Sequence, residues 1–252
     1  MLSFLRRRSA PAPGVSGPPG SRAYAIGDVH GCLHLLDALL VKIEADNRAR
    51  PTAKTFVVLL GDLVDRGPDS AGVLQRLSTW SPEWARPVFL MGNHEEFFIS
   101  VLDGDADLVG NWLTYGGREC AESYGISEGW MLNASTQGIA QEMYARVPRA
   151  HIEFVRGFGD SFRFGDYLFV HAGIRPGRSL EDQVPKDLRW IREGFLDDRS
   201  DHGVVVVHGH TIVDAPEERP NRIDIDTGAY KGGPLTALGI DGGERWFLTA
   251  QD

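Results

Sequence analysis

Five short apolar runs in this chain each close on glycine together with aspartate, asparagine or histidine. They read RAYAIGDVHG at 22–31, TFVVLLGDLVDRG at 55–67, RPVFLMGNHE at 86–95, YLFVHAG at 167–173 and GVVVVHGHT at 203–211. Continuous β-branched and aliphatic runs of this length read as strands buried on both faces. Three further runs follow: RIDIDTGA at 222–229, LTALGI at 235–240 and RWFLTAQ at 245–251. Helical spacing fills the gaps. Leu33, Leu36, Leu40 and Ile43 share one face of a helix over 31–49. Pro68, Asp69 and Ser70 open a second helix carrying Val73, Leu74 and Leu77, and Asn93 opens a third. Strand–helix alternation followed by late strands without helices predicts an α/β sandwich, two packed sheets flanked by helices. A plain doubly wound sheet is the alternative.

In α/β proteins sites are built beyond the carboxyl ends of strands. Those ends supply Asp28 and His30, then Asp62, Asp65 and Arg66, then Asn93 and His94, then His171, then His208 and His210. Any one of these alone is ordinary turn chemistry or a hydrogen-bonded structural histidine. Five in succession point to a ligand set. Carboxylate oxygen with neutral imidazole suits borderline divalent ions such as Mn²⁺, Fe²⁺ and Zn²⁺. There are more donors than one ion can use, and two ions about 3.5–4 Å apart form the clamp used for phosphoryl hydrolysis. Arg66 has the wrong sign for a ligand and the right shape for a bidentate grip on phosphate. His208 and His210 lie two residues apart, and strand alternation returns them to one face, so spacing leaves both open as ligands.

The rest of the chain narrows the class. Its 252 residues suit one α/β domain, and 42% hydrophobic with 24% charged residues allow a full core. A net charge of -9 denies it the general phosphate attraction behind nucleic-acid binding. Cys32 and Cys120 form no CxxC pattern, against a thiolate zinc site or a disulfide framework and in keeping with the reducing cytoplasm. No stretch approaches the roughly 20 apolar residues of a membrane helix. Residues 1–21 are rich in Pro, Gly, Ser and Ala after three arginines. They read as a disordered leader, with a lipid-touching basic arm as the alternative. The domain then covers 22–252. Within it, residues 104–157 carry Trp112, Tyr115, Tyr124 and Trp130 and read as a helical insert: a small packed subdomain or a recognition lid. TGAYKGG at 227–233 is a glycine-rich connection whose Tyr230 and Lys231 either reach the site or merely close a hairpin.

GDVHG, GDLVDRG and GNHE, in this order and spacing, resemble the phosphoprotein phosphatase family of calcineurin-like metallophosphoesterases. VHAG, WIR and HGHT resemble its bacterial and lambda-phage branch of serine/threonine protein phosphatases, where DTGA, here 226–229, also recurs. The resemblance implies that family's sandwich of two mixed β-sheets flanked by helices. It implies that Asp28 and His30 hold one ion, Asp62 bridges, and Asn93, His171 and His210 complete the second. Two divalent ions are implied, Mn²⁺ first and Fe or Zn as alternatives. His94 protonates the leaving oxygen with Asp65 orienting it, while Arg66 and Arg192 bind phosphate. Of the two late histidines, the family's ligand is the one following glycine, His210, which leaves His208 as a structural residue or a neighbour of the ligands.

The reaction so implied is direct attack on phosphorus by a hydroxide bridging the ions, without a covalent phosphoenzyme. The substrate is a phosphorylated protein or a small phosphoester. The alternative is a symmetrical diadenosine tetraphosphate hydrolase, a sister branch that also shows the cysteine after GDVHG. That branch usually has Ala before Arg in its second motif and Asp after His in its third, where this chain has Asp65 and Glu95. A non-catalytic scaffold is disfavoured because every expected ligand is present.

Overall fold

The residues of Ser21–Ile26, strand β1, alternate between two cores. A computed structural model describes residues 14–251. In chain order the elements are β1, α1 (Leu33–Arg48), β2 (Lys54–Leu59), α2 (Ser70–Ser78), β3 (Arg86–Phe89) and α3 (Asn93–Leu102). The insert follows as α4 (Ala106–Trp112), α5 (Arg118–Ser123), α6 (Glu128–Met131), α7 (Thr136–Arg146) and α8 (Arg149–Arg156). Then come β4 (Ser161–Phe164), β5 (Tyr167–Val170), α9 (Pro185–Trp190), β6 (Val205–His208), β7 (Glu217–Glu218), β8 (Arg222–Asp224), β9 (Leu235–Asp241) and β10 (Glu244–Ala250).

Two five-stranded sheets result, ordered β10-β9-β1-β2-β3 and β4-β5-β6-β8-β7. Both are mixed. In the first, β1, β2 and β3 are parallel, with β9 antiparallel to β1 and to β10. In the second, β5, β6 and β8 are parallel, with β4 and β7 antiparallel at the edges. The expected sandwich of two mixed sheets is what forms, not a single doubly wound sheet.

Period-two alternation explains the packing. Ala23, Ala25 and Val58 of the first sheet meet Phe169, Val205, Val207 and Ile223 of the second in the core between sheets. Tyr24, Ile26, Val57 and Leu59 face the other way, onto Leu36, Leu39, Leu40 and Ile43 of α1. On the far side of the second sheet, Leu168, Val170, Val204 and Val206 pack on Leu188 of α9 and on Phe195. The four-valine run therefore serves both faces of β6, which is why it shows no polar alternation.

The apolar runs proved longer than the strands. β1, β2 and β3 end two or more residues before the first site residue that follows each, β5 ends one residue before His171, and β6 ends at His208, two residues before His210. Two strands, β4 and β7, were not expected. SFRF and EE are short and carry charge, as edge strands do.

The leader expected over 1–21 needs correction over 14–21. Val15 packs against the inter-sheet core, the Ser16 amide donates to Asp166 Oδ2 at 2.9 Å, and the Gly17 amide donates to the Gly242 carbonyl at 2.8 Å. Ser21 already belongs to β1. A few backbone hydrogen bonds and one valine suffice to order a Gly/Pro-rich stretch, and composition does not register them. Residues 1–13 lie outside the described residues. Among the described residues no helix is long and apolar enough to cross a membrane.

Candidate active site

Six parallel strands point their carboxyl ends at the same end of the sandwich, three from each sheet. The loop after β1 brings Asp28 and His30, that after β2 brings Asp62, Asp65 and Arg66, and Asn93 and His94 open α3 after β3. From the second sheet come His171 after β5, His210 after β6 and Asp226 after β8. Asp28, His30, Asp62, Asp65, Asn93, His94, His171 and His210 are each at most 6% exposed. Such burial of polar groups is tolerated only with partners.

Asp62 is the centre. Its Oδ2 lies 3.4 Å from His30 Nε2 and 3.9 Å from His94 Nε2, and its Oδ1 lies 3.3 Å from His171 Nε2. His171 Nε2 also sits 3.0 Å from Asn93 Oδ1 and 3.2 Å from His210 Nδ1. Asp28 Oδ2 stands 4.0 Å from His30 Nε2. Donor atoms of His30, Asp62 and His94 form one group that can hold a metal ion, and those of Asp62, His171 and His210 form another. Asp62 belongs to both.

The hydrogen-bonding pattern shows what the cluster lacks. His30 Nδ1 donates to the Val64 carbonyl at 2.8 Å and His171 Nδ1 to the Leu60 carbonyl at 3.0 Å. In the neutral ring each Nε2 is then a bare lone pair aimed at carboxylate and amide oxygens. His30 Nε2 and His210 Nε2 are buried without a hydrogen-bond partner. Burial pushes the His210 imidazole down to about 2 and lowers His30 well below its usual value, so both are neutral, as ligands must be. Asp28 is pushed well up by burial and then by Asp226 and Asp62, three carboxylates sharing one place. Electron-pair donors converge here, and like-charged carboxylates among them lack a compensating cation. Divalent cations fit this donor set.

The backbone is bent to make it. His30, Asp62, Asp65, Arg66 and His210 have φ of 46°, 49°, 71°, 68° and 66°. Among the described residues they are the only non-glycines with positive φ, and every one was a predicted site residue. Left-handed conformations cost of order 1–3 kcal/mol each and gather at functional sites. Two glycines give clearance: a Cβ at Gly92 would strike the Asp62 carboxylate, and one at Gly209 the Asp28 carboxylate. Glu95 ties the loops together. Its Oε2 accepts from the Asp62 and Gly92 amides at 2.7 and 2.9 Å, and its Oε1 accepts from the Leu63 amide at 2.7 Å. Burial, then the Asp62 charge, raises Glu95 to about 7.

His94 and Asp65 pair beside this centre, Nδ1 to Oδ2 at 2.7 Å. Burial alone would lower His94, but the Asp62 and Asp65 carboxylates outweigh it and hold its pKa above the ordinary value. Arg66 donates to Tyr230 Oη at 3.0 Å and stacks on that ring, 4.9 Å from its centroid. Tyr230 in turn meets His30 edge-on at 5.0 Å. Its segment is a single helical turn, Ala229–Lys231, between left-handed Gly228 and Gly232, rather than a plain hairpin. Arg66, Tyr115, Arg118 and Tyr230 line a cleft of about 570 Å³ beside the centre. Arg192 lies two residues beyond the end of α9. It donates to the His210 carbonyl at 3.1 Å and makes no ion pair with Glu181 or Glu193 among the described residues.

The two late histidines part company. His208 ends β6 on the outer face with Val206. Its Nδ1 donates to the Gly209 carbonyl at 3.0 Å, Arg222 donates to its Nε2 at 3.2 Å, and its ring meets Phe195 edge-on at 5.1 Å. Same-face alternation would have carried His210 there too. The left-handed turn at His210 breaks the strand and swings its ring into the cluster.

Sequence reasoning did not assign a role to Glu95, Trp112 or Asp226. Asp226 carried the same signal as the others, an acid-Thr-Gly at a strand end. Its carboxylate receives the Gly228 amide at 3.0 Å and presses on Asp28. Glu95 follows Gly92 at capping-box spacing, but the missing Ser or Thr hides it. Trp112 was singled out only as one of the insert's aromatics, with nothing to tie it to Asp65.

A buried Asp/His/Asn cluster at the joint ends of two sheets, with arginines at its mouth, defines a metal-dependent phosphoesterase. The calcineurin-like phosphoesterase family matches residues 21–237, and the chain belongs to it. Serine/threonine-protein phosphatase 1 of Salmonella typhimurium is 27% identical over 225 residues, 86% of this chain and 91% of that protein. The symmetrical bis(5'-nucleosyl)-tetraphosphatase of Methylobacillus flagellatus is 25% identical over 268 residues, 87% of this chain and 92% of that protein. The fold of a protein serine/threonine phosphatase from Saccharomyces cerevisiae superposes with a TM-score of 0.56 at 14% identity, covering 93% of this chain and 81% of that one.

Proposed function

We propose that this chain is a two-metal serine/threonine protein phosphatase. The observation that carries the two-metal part is Asp62, whose two oxygens face two separate ligand groups, His30 on one side and His171 with His210 on the other. Asp28 joins the first group, and Asn93 the second. Mn²⁺ suits the mixed oxygen and imidazole set. When bound, the ions supply Lewis acidity and an acidified water.

The remaining roles belong to side chains. Arg66 and Arg192 receive the phosphate oxygens at the mouth, Arg66 braced by Tyr230. His94 presents Nε2 to the leaving oxygen and holds the proton that it takes, while Asp65 fixes the ring through Nδ1. Glu95 and the α3 N-terminus keep Asp62 in place. The His94 amide donates to Asp62 Oδ1 at 3.1 Å.

The protein-substrate reading is supported by Asp65 before Arg66 and Glu95 after His94. The Salmonella phosphatase, matched along nearly its full length, supports it too. The Methylobacillus relative supports the dinucleotide reading. One experiment separates them. Chelation is expected to abolish hydrolysis of a phosphoserine peptide, and Mn²⁺ to restore it. With Mn²⁺ present, kcat/KM for the peptide should exceed that for diadenosine tetraphosphate. The opposite order overturns the protein-phosphatase reading. Full activity in chelated protein overturns the metal reading.

A further inference from the structure

We propose that the helical insert is the clamp that orients the His94–Asp65 pair, with Trp112 as its positioning residue. The proposal rests on the acid role assigned to His94 above. Trp112 closes α4, fully buried. Its Nε1–H donates to both oxygens of the Asp65 carboxylate, at 3.1 and 3.2 Å. The Oδ2 of that carboxylate receives His94 Nδ1–H at 2.7 Å. A buried tryptophan needs an acceptor. This one finds it in the group that aims the proposed acid.

The backbone makes a second contact. After Trp112 the helix ends in a kink at Tyr115 and Gly116, with Gly116 at φ 107°. The kink brings the Gly116 carbonyl to the Arg66 amide, which donates to it at 2.9 Å. A Cβ at Gly116 would lie 2.6 Å from the Arg66 nitrogen, so only glycine allows this approach.

Asp65 and Arg66 are consecutive left-handed residues, a strained pair that persists only where its surroundings over-determine it. Its own loop and α2 contribute the Ser70 hydroxyl, which accepts from the Asp65 amide at 2.9 Å. The Trp112 indole and the Gly116 carbonyl both come from the insert. Without the indole N–H the carboxylate loses the donor that spans both its oxygens. Its rotation about χ2 is then set by His94 alone, and the His94 ring loses its fixed aim.

The test reads leaving-group dependence. Phenol is a weaker acid than p-nitrophenol, so phenyl phosphate leans on a proton donor more than p-nitrophenyl phosphate does. The measured quantity is the ratio of kcat for phenyl phosphate to kcat for p-nitrophenyl phosphate in the Mn²⁺-loaded protein. In Trp112→Phe that ratio is expected to fall about tenfold, part of the roughly 10²–10⁴ that a general acid supplies, with metal stoichiometry kept. If both substrates slow equally, Trp112 is a packing residue and the proposal falls. His94→Asn is run beside it. If His94→Asn lowers the ratio and Trp112→Phe does not, only the Trp112 role is lost. If His94→Asn leaves the ratio unchanged, the acid assignment falls and takes the Trp112 role with it. Should Trp112→Phe fail to fold, benzothienylalanine at position 112 keeps the bicyclic shape, removes the N–H alone, and is read against the same ratio.

Discussion

Replacing His210 with alanine is expected to remove nearly all phosphoester hydrolysis and to lower the bound metal below two ions per chain. His210 Nδ1 stands 3.2 Å from His171 Nε2 within the ligand group around Asp62, and its ring is held neutral by burial. Losing it opens one whole side of that group. His208→Ala should differ in kind. His208 accepts from Arg222 and donates to the Gly209 carbonyl on the outer face of β6, so its loss strands a buried guanidinium N–H. That costs about 1–3 kcal/mol of stability. Metal content by elemental analysis and thermal unfolding on the same samples read both. Should His208→Ala lose an ion while His210→Ala keeps both, the ligand assignment on this strand is wrong by two residues.

His94→Asn should cut turnover of a phosphoserine peptide by about 10²–10⁴, the usual worth of a general acid. Metal content should hold, because the proposed ligands are left in place. The competing possibility comes from geometry. His94 Nε2 lies 3.9 Å from Asp62 Oδ2 and shares a ligand-capable group with His30 and Asp62. Elemental analysis decides between them. An ion lost together with His94 would make it a ligand and move the proton-donor role elsewhere.

The sandwich and its site were legible because each parallel strand ends in the same way. Short β-branched runs followed by Gly and a ligand-type residue state both the strand and its loop. The runs overstated the strands, since Leu60, Met91 and Ala172 continue the apolar pattern past the last sheet pairing. Alternation misled at His210, because it presumes a strand that a left-handed turn has already ended. The insert was read as helical from its place between motifs and its aromatics, yet only the fold divides those aromatics. Trp112 is fully buried, whereas Tyr115 and Trp130 are 57% and 42% exposed. Trp112 touches Asp65 across 47 residues of chain, a separation that local periodicity does not span. The leader misled for the opposite reason. Its composition suggests disorder, but Val15 against the inter-sheet core and hydrogen bonds to distant turns order its last residues.

The proposed ligands are shared between layers. Asp28, His30, Asp62 and Asn93 hang from the first sheet, while His171 and His210 hang from the second. Ions held among them act as rivets between two plates. The plates also adhere through apolar packing between their inner faces and a few direct links, among them the His171 Nδ1–Leu60 carbonyl hydrogen bond and the Arg245–Glu218 ion pair. Apolar packing is non-directional, whereas a coordination bond fixes direction. Mass action then links ion concentration to the docking of the sheets. At a hundred times the dissociation constant a single bound ion adds about 2.7 kcal/mol to the folded state. The melting temperature should therefore climb as free Mn²⁺ is raised, and chelation should loosen the seam between the sheets before it loosens either sheet.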